Sequence, residues 1–335
     1  MKKISIMLTS YNLVDYIDES ISSVVCQEMP CDWELLIGDD GSNDGTIEKL
    51  KQWQERDPKH IRYYVNERPK TTVKDGYRAA KNRASLLEKA TGDYLIYLDG
   101  DDCWLGFEKL KTQFAILEDP ANSDCSCCAH NIQAYVIPEE RKYSWEDEGM
   151  PTQKMSLEQY WSYHYFHTNT LLFRQECKEM LLDSLYRDHL NDNLITFIVL
   201  QYGKVYYLDK VWARYNMTGS GLWTGHSNTY GTLRNITLYD LEMRICPQLK
   251  RNHLRKHCGN ILYLLRHFKP EDYEGIIPVI KPLDPKVFKN TILLSKVKNV
   301  TLYDRIQRVK LYLDIYLFLI SNKFRSLIKK GEKKI

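Results

Sequence analysis

The sequence lacks any apolar stretch long enough to span a bilayer, which takes about 20 consecutive residues. It also lacks a secretory signal, since Met1-Lys2-Lys3 leads at once into a strand-like run, so we expect a cytoplasmic protein. Its nine cysteines are scattered and odd in number, which does not suit a disulfide framework. The one cysteine cluster, Cys125-Ser126-Cys127-Cys128, has only His130 nearby, so a zinc site is not favoured either.

The sequence has little excess charge of one sign. Its 47 basic and 44 acidic residues give a net charge of +3, which offers no reason to expect a nucleic-acid partner. The charge is unevenly distributed, because residues 300–335 carry nine basic and three acidic side chains, a net +6 that leaves −3 elsewhere. With 335 residues and 43% hydrophobic residues, we expect one large domain with an extension.

Three short apolar runs each end in a cluster of polar residues. The runs cover residues 4–8, 34–38 and 94–98, and their composition predicts buried strands. In an open parallel α/β sheet, ligands bind at the carboxyl ends of the strands, so these clusters are candidates for one site. The clusters are Thr9-Ser10-Tyr11-Asn12, Asp39-Asp40-Gly41-Ser42 and Asp99-Gly100-Asp101-Asp102.

The third cluster places three carboxylates within four positions. Carboxylates crowded at a strand end repel one another and raise each other's pKa. A divalent Mg²⁺ or Mn²⁺ ion relieves this repulsion, because such ions prefer oxygen ligands. Asp99-x-Asp101 therefore indicates a site for a metal-bound phosphorylated ligand, and the alternative is a solvated acidic turn.

The three motifs in this order resemble the inverting glycosyltransferases of family 2, as Thr-x-Tyr-Asn, Asp-Asp-Gly-Ser-x-Asp-Gly-Thr and Asp-x-Asp-Asp. The resemblance extends to about residue 225 and implies the GT-A fold, an α/β fold whose Rossmann-like, mainly parallel sheet is flanked by helices. We expect a catalytic domain over residues 1–230, with its nucleotide-sugar part over about 1–120 and its acceptor part over about 121–230. Residues 231–335 are expected to form a helical C-terminal extension.

The resemblance implies a role for each polar residue of the first two clusters. Tyr11 is expected to stack on uracil and Asp40 to accept a hydrogen bond from its N3–H, although Asp40 capping a turn is the alternative. Which cation near residues 78–83 meets a phosphate is open, and a solvated helix face is the alternative there. The implied donor-nucleotide contacts are Thr9, Tyr11, Asn12, Asp40, Arg83 and Asp99.

The remaining implied roles concern the metal, the acceptor and the catalytic base. Asp101 and Asp99 are the expected metal ligands, and Asp102 and Arg214 are expected to face the sugar, the acceptor or the diphosphate. Inversion also needs a carboxylate that takes the proton of the attacking hydroxyl. The family carries it in a Glu-Asp pair, which reads Asn191-Asp192 here, so Asp192 is the candidate base. Helix N-capping is the alternative for Asp192, and Asp188 is the second candidate for the base.

The implied function is the metal-dependent, inverting transfer of one sugar from a UDP-linked donor to a surface polysaccharide or glycolipid acceptor. Two alternatives are a nucleotide-sugar-binding protein of this fold without transferase activity, and a nucleotidyltransferase. The second is disfavoured because Thr9-Ser10-Tyr11-Asn12 is not a glycine-rich, basic loop.

Other segments carry weaker predictions. Apolar spacing predicts a helix over residues 104–117, and the charged residues 139–154 predict an irregular loop. His167 and His226 fall near the acceptor side by sequence order, where a lone histidine is more often structural than catalytic. Residues 305–330 have an apolar stripe flanked by cations, which favours either peripheral contact with the inner face of a membrane or packing on protein, including a homodimer.

Overall fold

This computed structural model of the chain describes residues 2–67, 75–137, 141–144, 150–163, 166–218 and 228–249. The chain divides into two compact units, residues 1–225 and residues 226–335. The described part of the second unit is one helix, Asn228–Ile245, followed by a 3-10 turn at Pro247–Leu249. Across the described ranges, none of the helices is both long and apolar enough to cross a membrane. The apolar stripe predicted at residues 305–330 lies outside the described residues.

The first part of the sheet is parallel. Its strands lie in the order β3-β2-β1-β4, and the chain crosses between them through helices. Because β4 returns to the other side of β1, the strand order reverses between β1 and β4, the place where ligands bind in open α/β sheets. These elements are β1 (Lys3–Ser10), α1 (Ile17–Val25), β2 (Asp32–Asp39), α2 (Thr46–Arg56), β3 (Ile61–Val65), α3 (Asp75–Lys89) and β4 (Tyr94–Asp99).

The second part of the same sheet is mixed. It continues from β4 in the order β9-β6-β10-β5, with β7 paired to β6 and β8 paired to β10, and β9 is antiparallel to both of its neighbours. Parallel pairing recurs here only between β6 and β10 among the described strands. These elements are β5 (Cys103–Trp104), α4 (Lys109–Glu118), β6 (Cys125–Val136), β7 (Arg141–Ser144), β8 (Gln153–Met155), α5 (Leu157–Tyr163), β9 (Leu172–Arg174), α6 (Lys178–Leu181), α7 (Asp192–Val199) and β10 (Lys204–Met217).

The core lies between the parallel strands and the helices that cross over them. Alternate residues of β1 and β4 share one buried cluster with α1, whose buried residues recur at helical spacing. Full burial of one such side chain is worth about 1.5–3 kcal/mol, so the strands that carry the polar clusters are firmly held. The buried residues of this layer are Ile4, Ile6, Leu8, Ile17, Ile21, Val24, Tyr94, Ile96 and Leu98.

The helix predicted over residues 104–117 begins later, at Lys109, so the prediction was wrong for residues 104–108. Trp104 belongs to β5 and pairs with Ala213 of β10 instead. The turn that follows needs a glycine, because a Cβ on Gly106 would lie 2.3 Å from a ring carbon of Trp212. Cross-strand pairing and this close ring contact therefore override the local helical periodicity.

The loop predicted over residues 139–154 is partly strand, and the prediction was wrong there. Its residues Arg141–Ser144 form β7 against β6, and Gln153–Met155 form β8 against β10. Both segments are short and polar, so the period-2 pattern of a half-buried strand is absent from them. β7 pairs with the strand directly before it in the chain, whereas β8 pairs with β10, where Met155 lies opposite Val205.

A buried carboxylate of β2 ties the start of β1 to the turn before β4. Glu34 accepts hydrogen bonds from Ser5 Oγ at 2.6 Å and from the Thr91 amide at 2.9 Å, and it lies 2.8 Å from Lys3 Nζ. Burial raises the pKa of Glu34, but the hydrogen bonds from Lys3, Ser5 and Thr91 outweigh it and lower the pKa to about 2. The ionised form is therefore favoured in the folded chain.

Glu34→Gln is expected to lower the free energy of unfolding at pH 7 by about 2–3 kcal/mol. Because the folded pKa is depressed, the contribution of Glu34 is complete above about pH 4.5 and is lost as the pH falls toward 2. Urea unfolding between pH 7 and pH 3 measures this difference, with the exposed Glu55→Gln as the control. If the unfolding free energies of the wild type and Glu34→Gln differed by the same amount from pH 7 to pH 3, the lowered pKa of Glu34 would be contradicted.

Candidate active site

The carboxyl ends of β1 and β4 bring Thr9 and Asp99 together. The two residues are register partners, and Thr9 Oγ1 donates to Asp99 Oδ1 at 2.6 Å. Arg83 Nη2, from α3, donates to both oxygens of Asp99 at 2.9 Å. Burial raises the pKa of Asp99, but Arg83 outweighs it and holds that pKa below its ordinary value. Three of the predicted donor contacts therefore form one hydrogen-bonded group.

Asn12 joins the first polar loop to the second. Its backbone is left-handed, with φ of 51°, a conformation that asparagine tolerates better than most residues. The Asn43 amide donates to Asn12 Oδ1 at 3.0 Å, and the Asn12 amide donates to Ser42 Oγ at 2.8 Å. Tyr11, directly before it, is 40% exposed, so its side chain can meet a ligand at this edge of the sheet.

Asp40 forms a bidentate ion pair with Arg78 of α3. Arg78 Nε and Nη2 donate to the two carboxylate oxygens at 2.7 and 2.6 Å. Sequence analysis did not single out Arg78 among its neighbouring cations, because no local signal links it to a residue 38 positions away. The pair borders a cleft of about 460 Å³. The cleft is also lined by Asn66, Glu67, Tyr77, Lys81, Asn82, Ser85, Arg187 and Asp188.

Asp101 and Asp102 follow Asp99 at the end of β4. Asp102 is buried and accepts from the Asn216 amide at 2.9 Å and from Asn169 Nδ2 at 3.0 Å. Burial and the charge of Asp99 raise the pKa of Asp101 to about 6. Burial and the charges of Asp101 and Asp99 raise the pKa of Asp102 well above its ordinary value. The crowding expected from the sequence is therefore present, and it disfavours full ionisation of the cluster.

Three side chains in or beside this cluster could together hold a metal ion. Single ligand atoms of Asp99, Asp102 and His167 lie within 4.8 Å of one another. Raised carboxyl pKa values mark a place where a cation would offset repulsion between carboxylates. Asp99 was expected as a ligand and belongs to this group, whereas the group has Asp102 and His167 in place of Asp101. The ligand role of Asp101 stays a prediction.

Asp192 lies at the first position of α7, with 8% of its surface exposed. Helix capping is done by Asn191, whose Oδ1 accepts from the Leu194 amide at 2.9 Å. Asp192 Oδ1 accepts from Thr168 Oγ1 at 3.2 Å and lies 3.7 Å from Arg83 Nη2. Arg83 therefore stands between Asp99 and Asp192, and it brings the predicted base into the same site as the acidic cluster.

Asp188 and Arg214, the remaining predicted site residues, have partners other than those of Asp192. Asp188, the second candidate for the base, accepts from the Tyr77 hydroxyl at 3.0 Å in the cleft beside Asp40. Arg214 pairs with Glu19 at 2.5 Å, and its Nε donates to Asn216 Oδ1 at 2.9 Å. Since Asn216 also donates to Asp102, Arg214 reaches the acidic cluster through one residue.

One turn that no sequence pattern predicted contacts both Asp192 and Asp102. A 3-10 turn, Thr168–Thr170, follows His167, and its side chains reach Asp192 and Asp102. Thr168 and Asn169 are almost fully buried although both are polar. Their position directly before an apolar strand is the only sequence signal, because nothing local shows which carboxylates they contact.

Comparison with known proteins decides the family. The model named Glycosyl transferase family 2 matches residues 5–181, which is more than half of the chain. The chain belongs to glycosyl transferase family 2. This confirms the family predicted from the three motifs.

Curated relatives of this family 2 chain are bacterial proteins. TuaG of Bacillus subtilis strain 168, which carries the name of a teichuronic acid biosynthesis glycosyltransferase, is 34% identical over 134 residues, covering 40% of this chain and 47% of TuaG. WfgD of Escherichia coli, named UDP-Glc:alpha-D-GlcNAc-diphosphoundecaprenol beta-1,3-glucosyltransferase, is 36% identical over 114 residues, covering 34% of this chain and 40% of WfgD. The chain thus spans less than half the length of either relative.

A solved structure is similar in fold to this chain. It is S. aureus TarS 1-349 in complex with UDP-GlcNAc, with a TM-score of 0.62 and 16% identity. The similarity covers 93% of this family 2 chain and 90% of that chain. The predicted GT-A fold, with a central sheet flanked by helices, is confirmed.

Proposed function

We propose that this chain transfers one sugar from a UDP-linked donor to a glycan or glycolipid acceptor, with inversion and with a divalent cation. The observation that carries the proposal is the position of Arg83, 2.9 Å from Asp99 and 3.7 Å from Asp192. A guanidinium between a donor-side carboxylate and a candidate base suits a site where a diphosphate leaves and a hydroxyl attacks.

The donor base is proposed to lie against Tyr11 and the pair of Asp40 with Arg78. Uracil presents an N3–H donor between two carbonyl acceptors. A carboxylate matches the donor, and a guanidinium N–H matches one carbonyl. The pairing holds both groups in fixed positions, since Asp40 and Arg78 are each about nine-tenths buried.

Asp99 and Asp101 are proposed to hold Mg²⁺ or Mn²⁺, with Asp102 and His167 beside them. When bound, the cation supplies Lewis-acid stabilisation of the charge that develops on the leaving diphosphate. Arg83 adds a fixed positive charge to this side of the site. Burial lowers the pKa of Arg83, but the charges of Asp99 and Asp192 outweigh it and raise that pKa above its ordinary range, so the charge persists.

Asp192 is proposed to take the proton from the attacking acceptor hydroxyl, as a general base. Attack from the face opposite the diphosphate inverts the anomeric carbon, which places base and leaving group on opposite sides of the sugar. Asp102, held by Asn216 and Asn169, is proposed to bind a hydroxyl of the sugar or acceptor. An intact Asp192 and acidic cluster disfavour the alternative of a binding protein without activity.

The acceptor is proposed to be a growing glycan or a lipid-linked sugar. WfgD, at 36% identity over the shared segment, is named for transfer from UDP-glucose to a sugar on a lipid diphosphate. A lipid-linked acceptor would place the active site close to a membrane.

Calorimetric titration tests the uridine pocket. In the presence of Mn²⁺, we expect UDP to bind at least about tenfold more tightly than GDP or ADP, since a discrimination of about 1.4 kcal/mol corresponds to a factor of ten. Asp40→Asn should remove most of this preference, and the matched Asp57→Asn, away from the cleft, should keep it. Equal affinities of the wild-type chain for UDP, GDP and ADP would contradict the uridine assignment.

Peripheral membrane contact is proposed for residues 305–330, which lie outside the described residues. Each cation near an anionic surface is worth about 1 kcal/mol, screened by salt. Full-length protein is expected to float with anionic liposomes at low salt, and a chain ending at Thr301 is expected to remain unbound. If neither floats, or both float equally, these residues are not a membrane anchor.

A further inference from the structure

We propose that His167 and Thr168 are positioning residues that hold the Asp192 carboxylate in the orientation needed to accept a proton. The inference rests on the proposed role of Asp192 as base. Thr168 Oγ1 lies 3.2 Å from Asp192 Oδ1, and His167 Nε2 lies 3.6 Å from Asp192 Oδ2. Two consecutive residues therefore approach different oxygens of one carboxylate.

The Thr168 hydroxyl is a directional contact. Thr168 is 1% exposed, and its hydrogen bond to Asp192 spans 24 positions of sequence. A carboxylate at the start of a helix otherwise rotates about its χ2 torsion, for which the rotamer wells are broad. A donor to one oxygen restricts that rotation and so fixes where the second oxygen points.

The ring of His167 is oriented by its own turn. The Asn169 amide donates to His167 Nδ1 at 3.5 Å, which makes Nδ1 the acceptor. The other ring nitrogen, Nε2, faces Asp192 Oδ2, and a hydrogen on Nε2 is the arrangement that can donate there. The ring also packs on Tyr215, with 4.9 Å between ring centroids. Contacts of 3.5 and 3.6 Å are long for hydrogen bonds, so the inference requires the contact between His167 and Asp192 to shorten when substrate binds, as happens in many enzymes.

The turn itself is anchored from the core. Gln113 Nε2 donates to the Thr170 carbonyl at 2.8 Å, and Trp104 Nε1 donates to the Asn169 carbonyl at 2.9 Å. Asn169 in turn donates to Asp102. The turn thus fixes Asp192 and Asp102 relative to each other, and a shift of about 1 Å in such a group can cost a hundredfold in rate.

The competing role for His167 is that of a metal ligand, because one of its ring nitrogens lies within 4.8 Å of a carboxylate oxygen of Asp99 and of Asp102. The two roles differ in what they change. A ligand sets the affinity for the cation, whereas a positioning residue sets the turnover rate and acts only while Asp192 is present.

The experiment compares paired variants in an assay of UDP release. The donors are UDP-glucose, UDP-galactose and UDP-N-acetylglucosamine at saturating Mn²⁺, with the donor used fastest by the wild type kept throughout. Thr168→Val removes the hydroxyl and Thr168→Ser keeps it. His167→Gln can place an N–H near the position of Nε2, and His167→Asn cannot. His60→Gln, beside the first residue of β3, is the control. Mn²⁺ affinity is measured by calorimetry, and folding by thermal unfolding.

We expect Thr168→Val and His167→Asn each to lower kcat about 10- to 100-fold, with the donor KM and the Mn²⁺ affinity changed less than twofold. Thr168→Ser and His167→Gln should recover most of the rate. In an Asp192→Asn background, the same substitutions should lower the remaining rate less than twofold, because they act through that carboxylate.

Several results would overturn the inference. If Thr168→Val and His167→Asn lowered the rate as much in the Asp192→Asn background as in the wild type, Thr168 and His167 would act independently of Asp192. A tenfold weaker Mn²⁺ affinity in His167→Asn would make His167 a ligand. Normal rates in both variants, alongside a large loss in Asp192→Asn, would refute the inference and leave the proposed function standing. No loss in Asp192→Asn, or no UDP-sugar consumed by the wild type, would refute both.

Discussion

Asp192→Asn is expected to lower the rate of sugar transfer by about two to four orders of magnitude, the usual contribution of a general base. The amide cannot take the proton of the acceptor hydroxyl. The fold should survive, because Asn191 caps α7 and Arg83 keeps its two hydrogen bonds to Asp99. UDP affinity should change little, since the contacts proposed for the uracil lie at Asp40 and Tyr11. Rates are measured as UDP release, and affinity by calorimetry.

Asp188→Asn is the matched control for this prediction. Asp188 is the nearest alternative carboxylate in sequence, but it bonds to Tyr77 in the cleft beside Asp40. We expect it to cost less than about tenfold in rate, since Asp188 contacts none of the groups placed around Asp192. If Asp192→Asn weakened UDP binding by as large a factor as it lowered the rate, Asp192 would be a donor-binding residue. A collapse of the rate in Asp188→Asn alone would move the base to Asp188.

Asp101→Asn is expected to remove most metal-dependent turnover while the chain stays folded. A lost ligand weakens cation binding, and Lewis-acid assistance is worth several kcal/mol to the leaving diphosphate. Turnover is measured as a function of Mn²⁺ concentration, with Mn²⁺ affinity from calorimetry and the exposed Asp209→Asn as the control. We expect Asp101→Asn to need at least about tenfold more Mn²⁺ for half-maximal rate.

Asp102→Asn decides between the two sets of ligands. The structure groups Asp102 with Asp99 and His167, whereas the sequence motif favours Asp99 with Asp101. If Asp101→Asn kept nearly normal turnover at low Mn²⁺ and Asp102→Asn lost it, the ligand role would belong to Asp102. A loss confined to Asp101→Asn supports the assignment made from the motif.

The fold, and the convergence of the polar clusters that form the candidate site, follow from local sequence features. The run over residues 94–98 corresponds to β4, and the polar residues after β1, β2 and β4 follow from strand length and composition. Parallel strands joined by helices end at one edge, so topology alone brings these clusters together. Thr9 and Asp99 are the simplest case, since adjacent strands make them register partners.

The detailed contacts could not be predicted, because each depends on two distant parts of the chain. Arg78 pairs with Asp40 across 38 positions, and Thr168 reaches Asp192 across 24. The helical pattern at Trp104 failed for the same reason, since pairing with β10 decides its conformation. Local propensity describes one segment, whereas these positions are set by packing between segments.

Nucleoside diphosphate release by the wild-type chain is the direct test of the proposed sugar transfer from a UDP-linked donor. The chain is incubated with UDP-glucose, UDP-galactose, UDP-N-acetylglucosamine, GDP-mannose and ADP-glucose, each with Mn²⁺ and with a chelator. The proposed function predicts that at least one UDP-sugar is consumed, that GDP-mannose and ADP-glucose are not, that the chelator stops the reaction, and that Asp101→Asn slows it at low Mn²⁺. Consumption of GDP-mannose in preference to every UDP-sugar, or UDP release that continues unchanged in the chelator, would contradict it.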